Sequence, residues 1–193
     1  MQTTGPNLQP MLHNKLIIGA ALQAGDFEML FAAASDPLVW EQHPNPNRYQ
    51  HGQFQNYFAG AMESGGALLV RDAVTNHVIG CSRYYDYNAA LAELKIGYTF
   101  FKRSHWGGGY NYALKVAMLS NVFPLVNRVL FDVGAYNLRS QLSLERFGAV
   151  KIREENVAYH TEPTQPNFVY EITKEGWAII AKNYIHLLPG KSS

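Results

Sequence analysis

At 193 residues and 21.7 kDa the chain can build one domain with a full core and is short for two, so a single domain over residues 1–193 is expected. A composition of 47% hydrophobic and 16% charged residues argues against a fibre or a disordered tail, and 16 basic against 15 acidic residues leave +1, no general field to draw nucleic acid or an anionic membrane. The lone Cys81 has no disulfide or metal partner, MQTTGPNLQPMLHNK lacks a leader pattern, and no run nears the roughly 18 apolar residues of a membrane span, so a cytoplasmic protein is expected, without nucleic-acid or membrane partners.

Residues 1–14 read as a loose lead-in and residues 15–21 (KLIIGAA) as a strand. Gly25 and Asp26 open a helix with Phe27, Leu30, Phe31 and Ala34 at 3.6 spacing, closed by Asp36-Pro37. After the irregular EQHPNPNRYQ, Phe54, Tyr57, Phe58, Ala61 and Met62 mark a second amphipathic helix. Residues 67–71 (ALLVR) and 78–85 (VIGCSRYY) read as a hairpin, and residues 93–101 (ELKIGYTFF) as a strand with Leu94, Ile96, Tyr98 and Phe100 on one face. Three glycines follow, then a helix from about Tyr110 to Phe123 carrying Leu114, Met118 and Val122. Residues 128–133 form a buried strand, 137–147 a helix capped by Gly148, 149–153 and 167–172 two further strands, and a last helix carries Trp177, Ile180, Ala181, Tyr184, Ile185 and Leu188. Strands dominate early and alternate with helices late. This predicts an α/β (α+β) fold, a mixed sheet with helices on both faces and parallel pairing around the glycine turn.

The run RSHWGGGYN, residues 103–111, places three glycines directly before a helix. A helix N-terminus carries about half a positive charge and N–H groups without helical partners, so phosphate can sit there when side chains do not block it. GGGYNYALK lacks the spacing of a Walker loop, because Lys115 follows Leu114, and it lacks the third glycine of the dinucleotide fingerprint. An ordinary tight turn would use the same residues. The histidines at 13, 43, 51, 77, 105, 160 and 186 show no His-x-x-x-His pair and no cysteine partner, so no metal site is expected.

Two segments carry a resemblance to a known family, the GNAT acyl-CoA-dependent N-acetyltransferases. IGYTFFKRSHWGGGYNYALK resembles their coenzyme A motif, in which a strand leads into Gln/Arg-x-x-Gly-x-Gly/Ala at a helix start. Gly107 and Gly109 match; Ser104 stands where Gln or Arg is usual, with Arg103 adjacent. NLRSQLSLERFGA, starting 30 residues after Gly107, is similar to the family's Asn-x-x-Ser-x-x-x-x-Glu-x-x-Gly helix. Trp106 and Tyr110 are common in the branch that acetylates protein N-termini, ribosomal proteins among them, and antibiotics. A looser likeness runs over residues 15–172. The resemblance implies a mostly antiparallel, twisted sheet with a splayed parallel strand pair. It also implies acetyl-CoA as co-substrate and transfer of the acetyl group to a primary amine by direct attack in a ternary complex. The acceptor would be a small molecule or a protein N-terminus, and the protein a monomer or homodimer.

The resemblance assigns roles as well. Main-chain groups of Phe100, Phe101 and Lys102 would hold the pantetheine arm like a substitute strand and polarise the thioester carbonyl. Backbone groups of Gly107, Gly108, Gly109, Tyr110 and Asn111 would hold the pyrophosphate, Asn137 the arm, and Ser140 the sulfur or a nearby carbonyl. Leu144 stands where many members carry a tyrosine that protonates the departing thiolate, which leaves Ser140 as its replacement and Tyr136 behind it. Glu93 is the candidate to take the proton of the amine, although many members carry a glutamate two positions later, where this chain has Lys95. The plainer roles are core for Phe100 and Phe101, helix capping for Asn137 and Ser140, and an exposed strand position for Glu93. The aromatic segments RYYDYN and residues 40–49 would line the acceptor side. Two other functions fit the same residues: a non-catalytic acyl-CoA-binding module of this fold, and an unrelated nucleotide phosphate-binding protein.

Overall fold

The structure, a computed structural model, describes residues 5–158 and 164–188. Eight strands form one sheet: β1 (Leu12–His13), β2 (Ile17–Ala21), β3 (Ala67–Asp72), β4 (Val78–Asn88), β5 (Glu93–Phe101), β6 (Arg128–Gly134), β7 (Val150–Ala158) and β8 (Thr164–Thr173). Their spatial order is β1-β2-β3-β4-β5-β6-β8-β7, and β5 and β6 are the parallel pair in an otherwise antiparallel sheet. The helices are α1 (Phe27–Ala34), α2 (His51–Glu63), α3 (Tyr110–Val122), α4 (Leu138–Phe147) and α5 (Lys174–Asn183). This is the mixed α/β architecture expected.

Part of the lead-in pairs with the sheet, with Leu12 opposite Gly19 and His13 opposite Ile18. The buried Asn14 side chain ties it to α3 by donating to Ala113 O (2.9 Å). Residues 1–4 of the lead-in lie outside the described residues. β4 and β7 run on to Asn88 and Ala158, beyond the Tyr85 and Arg153 at which the sequence pattern ends.

Each face of the sheet has its own core. In β3, Leu68 and Val70 point to the core built with α3, α4 and α5, and Ala67 and Leu69 to the core built with α1 and α2, as the period of two requires. β5 keeps that alternation only as far as Ile96. Leu94 and Ile96 enter the α3 core, but Phe100 packs with Trp40, Phe54 and Tyr57 on the opposite face, and its neighbour Phe101 returns to the α3 side. The cause is a bulge. Register with β4 slips by one between Arg83↔Gly97 and Cys81↔Phe100, and Tyr98 takes a φ of 54°. The expected common face of Leu94, Ile96, Tyr98 and Phe100 is thereby split.

The bulged strand also leaves its parallel neighbour. β5 and β6 pair from Glu93↔Arg128 to Lys95↔Leu130 and then separate, while β6 stays paired with β8 as far as Gly134↔Asn167. A wedge opens between them.

The bulge depends on close backbone contact at Gly80, where a Cβ would stand 2.1 Å from Phe100 O. Gly80→Ala is expected to lower stability by on the order of 3 kcal/mol in urea unfolding, because the β4 or β5 backbone must move. A loss below about 0.5 kcal/mol, the range of neutral surface changes, would contradict this packing.

Candidate functional site

The wedge is a cleft. Ile96 to Thr99 of β5 form one wall and Phe131 to Gly134 of β6 the other, with Asn137, Ser140 and Leu144 from the α4 region and Lys115 from α3 closing it. His43 and Pro44 cover it from the connection before α2, so closely that a Cβ on Gly134 would stand 2.5 Å from Pro44 Cγ.

At the end of β5 the chain turns into α3 through the glycine run. Gly107 and Gly109 have φ of 74° and 82°, and Gly109 is the N-cap of α3, a left-handed conformation that costs other residues about 1–2 kcal/mol. Nothing lies within 4 Å of where a Cβ on Gly107 would be, so the turn is open to solvent. Ala113 N–H is the first to close a helical bond, onto Gly109 O (2.9 Å), and the amides ahead of it have no helical acceptor. The turn is braced from below. Tyr110 Oη donates to Asp72 Oδ2 (2.6 Å), and that bond, with the Thr75 backbone amide, holds the Asp72 carboxyl well below the usual carboxylate range. Trp106 Nε1 donates to Phe101 O (2.9 Å), its ring lies 4.1 Å from the Arg139 guanidinium, and Arg103 is paired with Asp36 (2.7 Å).

Besides Tyr85 and Tyr98, the ionisable side chains Asp132, Lys115 and His43 line the cleft, and they are held in different ways. Asp132, on β6, has a side chain 1% exposed; its Oδ2 accepts from Lys95 Nζ (2.9 Å) and Tyr85 Oη (3.1 Å), and its Oδ1 is buried without a partner. Lys115, 8% exposed, donates to Asn111 Oδ1, and the Asn111 amide donates in turn to Ser143 Oγ on α4 (2.9 Å). Burial pushes the Lys115 ammonium down to about 7. Burial and the Arg48 charge push His43 well below its ordinary value, so it is neutral at pH 7.

The expected residues fall into two groups. Asn137 and Ser140 line the cleft, and Asn137 Oδ1 also accepts the Ser140 N–H (3.1 Å), so the helix-cap geometry is present as well. The main chain of Gly107, Gly108, Gly109, Tyr110 and Asn111 forms the open turn leading into α3. Phe100 and Phe101 are buried in opposite cores, the Phe101 carbonyl is taken by Trp106, and Lys102 N–H donates to Ile79 O (2.7 Å). The strand edge facing the cleft is therefore Ile96 to Thr99, a few residues earlier than expected. Glu93 lies outside the cleft, at the start of β5, paired with Arg128, which also reaches Glu171 (3.5 Å). Tyr136 is 82% exposed and does not line it. Asp132 and Lys115 were not singled out from sequence. One sits in a run that reads as a buried strand, the other inside an apolar helix, and only the separation of β5 from β6 brings them to one space. No group of three or more potential metal ligands occurs among the described residues, and His160 lies outside them.

Lys115 makes a measurable claim on stability. An unfolded lysine holds its proton to about pH 10.4, whereas the folded one loses it near 7. Between those values the unfolded chain binds more protons, so the Lys115 contribution to stability rises with pH and is least favourable below 7. Lys115→Met should therefore gain stability relative to wild type in urea unfolding at pH 6, and that advantage should shrink progressively between pH 7 and about pH 10. A difference independent of pH would contradict the burial.

The family profile of the acetyltransferase (GNAT) domain matches residues 16–150. No curated protein matches in sequence. Among solved structures, a GCN5-related N-acetyltransferase from Brucella melitensis superposes with a TM-score of 0.79 at 17% identity, over 98% of this chain and 91% of that one. RimJ of Mycobacterium smegmatis, solved with CoA-disulfide, superposes with 0.73 at 14%, over 95% and 98%. A spermidine N-acetyltransferase SpeG chimera from Vibrio cholerae and hSSAT superposes with 0.64 at 15%, over 84% and 98%. At these identities the structural likeness carries the fold alone, while the profile spans more than half of the chain. With the splayed parallel pair and the glycine turn in place, the chain belongs to the GNAT acetyltransferase family.

Proposed function

We propose that this protein is an N-acetyltransferase that moves an acetyl group from acetyl-CoA to a primary amine by direct attack in a ternary complex. The observation that carries this reading is a juxtaposition: the cleft between β5 and β6 is lined by Lys115 of a helix that starts at an open, left-handed glycine turn. An elongated ligand with a phosphate-bearing end and a narrow arm fits that pair of features. The unpaired amides from Gly107 to Asn111 suit the pyrophosphate. The stretch Ile96 to Thr99, where β5 has parted from β6, faces Asn137 and Ser140 and suits the arm, which can add to the β5 edge as a short strand would. Acetyl-CoA supplies an acyl carbon activated as a thioester.

The chain's own residues then have separate tasks. In this reading main-chain N–H groups at the bulge serve the thioester carbonyl, where negative charge develops during attack. The amine must arrive without its proton, and Asp132 is the carboxylate of the cleft: Lys95 and Tyr85 fix one oxygen and the other has no partner. Asp132 takes the place in this reading that Glu93 held from sequence. The acceptor is an amine that enters from the α1/α2 side past His43 and Tyr85, a small molecule or a protein N-terminus.

Acetyl-CoA at a hundredfold excess over its Kd should stabilise the wild type by about 2.7 kcal/mol, read as a rise in Tm. Gly109→Glu should abolish that rise, because it adds a negative charge at the helix start. Gly109→Ala imposes the same backbone strain without the charge and should keep most of it. Loss in both variants, or in neither, would contradict a phosphate site at this turn. Asp132→Asn should lower kcat by roughly 100-fold or more with little change in acetyl-CoA stabilisation, measured as release of free coenzyme A with a panel of amines. Binding without turnover on any amine would favour the non-catalytic module instead.

A further inference from the structure

Lys115 is a buried cation in this cleft to which the proposed reaction has given no task. It stands in the second turn of α3, inside a helix whose neighbours Leu114, Val116, Ala117, Met118 and Leu119 are all buried apolar residues. A leucine there would fold more cheaply, since an ammonium without a counter-ion is costly to bury. The one hydrogen bond it makes among the described residues goes to a neutral acceptor, Asn111 Oδ1, and it forms no ion pair there. Asn111 is fixed in turn by Ser143 on α4, so the ammonium is aligned by both helices that close the cleft. Two of its three N–H donors remain for something inside the cavity that it lines with Ser140 and Leu144. An anion that exists there only during turnover would match a cation with no resident partner.

Resting on the reaction proposed above, we propose that Lys115 is the acid that gives a proton to the coenzyme A thiolate as the thioester breaks. The acceptor nitrogen forms the new C–N bond and the electron pair of the C–S bond goes to sulfur. Sulfur takes a proton from Lys115 Nζ, the nitrogen gives its own proton to Asp132, and solvent resets both groups. The other titratable groups facing this space are committed elsewhere. Asp132 is paired with Lys95 and Tyr85 from the opposite face and serves there as the base, the Tyr98 ring meets Tyr85 edge-on against the Arg83 guanidinium, and His43 is neutral and bonded to Arg48. The hydroxyls of Ser140 and Thr99 are too weakly acidic to replace an ammonium that titrates near neutrality. Leu144 brings no proton at all.

The test reads the thiol directly. The ultraviolet absorbance of the thiolate of bound coenzyme A is titrated in wild type and in Lys115→Met, each referenced to the same protein with desulfo-coenzyme A. The midpoint should lie at least one pH unit lower in wild type, because a neighbouring thiolate and ammonium each favour the charged form of the other; equal midpoints would overturn the assignment. Lys115→Arg, which keeps the charge but cannot release a proton near neutrality, should keep the low midpoint. Both variants should lose about 100-fold in kcat, with KM for acetyl-CoA changed less than threefold. Wild-type kcat in Lys115→Met, or full rescue by arginine, would refute proton donation. Failure of the wild type to bind coenzyme A would instead sink the underlying reaction, an outcome distinct from binding with equal midpoints.

Discussion

At Tyr98 the backbone of β5 takes a left-handed conformation that costs a bulky residue about 1–2 kcal/mol, and the register with β4 slips by one. Aromatic packing offsets that cost. Tyr57 Oη donates to Tyr98 O (2.8 Å), the Arg83 guanidinium lies 3.9 Å from the Tyr98 ring centroid, and Tyr85 meets that ring edge-on at 5.3 Å. The slip turns Phe100 into the second core, where burial of a phenylalanine contributes about 1.5–3 kcal/mol. Strain at one residue is thus held by α2, β4 and both cores together. The same distortion coincides with the parting of β5 from β6, whose ladder ends at Lys95↔Leu130.

A continuous sheet keeps groups on its two faces apart; a wedge between strands lets them meet. β6 sends Phe131 and Val133 into the α3 core, so the alternating Asp132 belongs to the opposite face, with Lys95 and Tyr85. Lys115 comes from α3, on the Phe131 side. The cleft therefore receives a carboxylate from one face and an ammonium from the other. Their environments differ: Asp132 is ion-paired with Lys95, whereas burial without a counter-ion pushes the Lys115 ammonium down to about 7. The proposed reaction puts the acceptor on the Asp132 side and the departing thiolate on the Lys115 side, one on each face.

Much of the fold was legible because strand and helix periods are local properties. The glycine run before Tyr110 and the Asn137 to Gly148 helix stood out because left-handed caps and helix starts require particular residues at particular steps. Long-range pairings were not legible. Alternation along ELKIGYTFF placed Phe100 with Leu94 because a period of two carries no sign of a bulge, which is seen only in the pairing with β4, where Gly80 lies close against Phe100. Glu93 looked available because its partner Arg128 lies 35 residues on. Asp132 read as one polar residue in a buried strand and Lys115 as a helix residue between apolar neighbours. Only the distance between β5 and β6 gives these two a common cleft, and that distance is set by tertiary packing.

In the proposed function the stretch of β5 that has parted from β6 and the glycine turn form one continuous binding surface. Amide hydrogen exchange with and without acetyl-CoA tests it at residue level. Joint slowing at residues 96–99, at 107–112 and at 133–140, with the α5 amides unchanged, is the predicted result. Protection confined to the glycine turn, with the β5 edge exchanging as before, would contradict it.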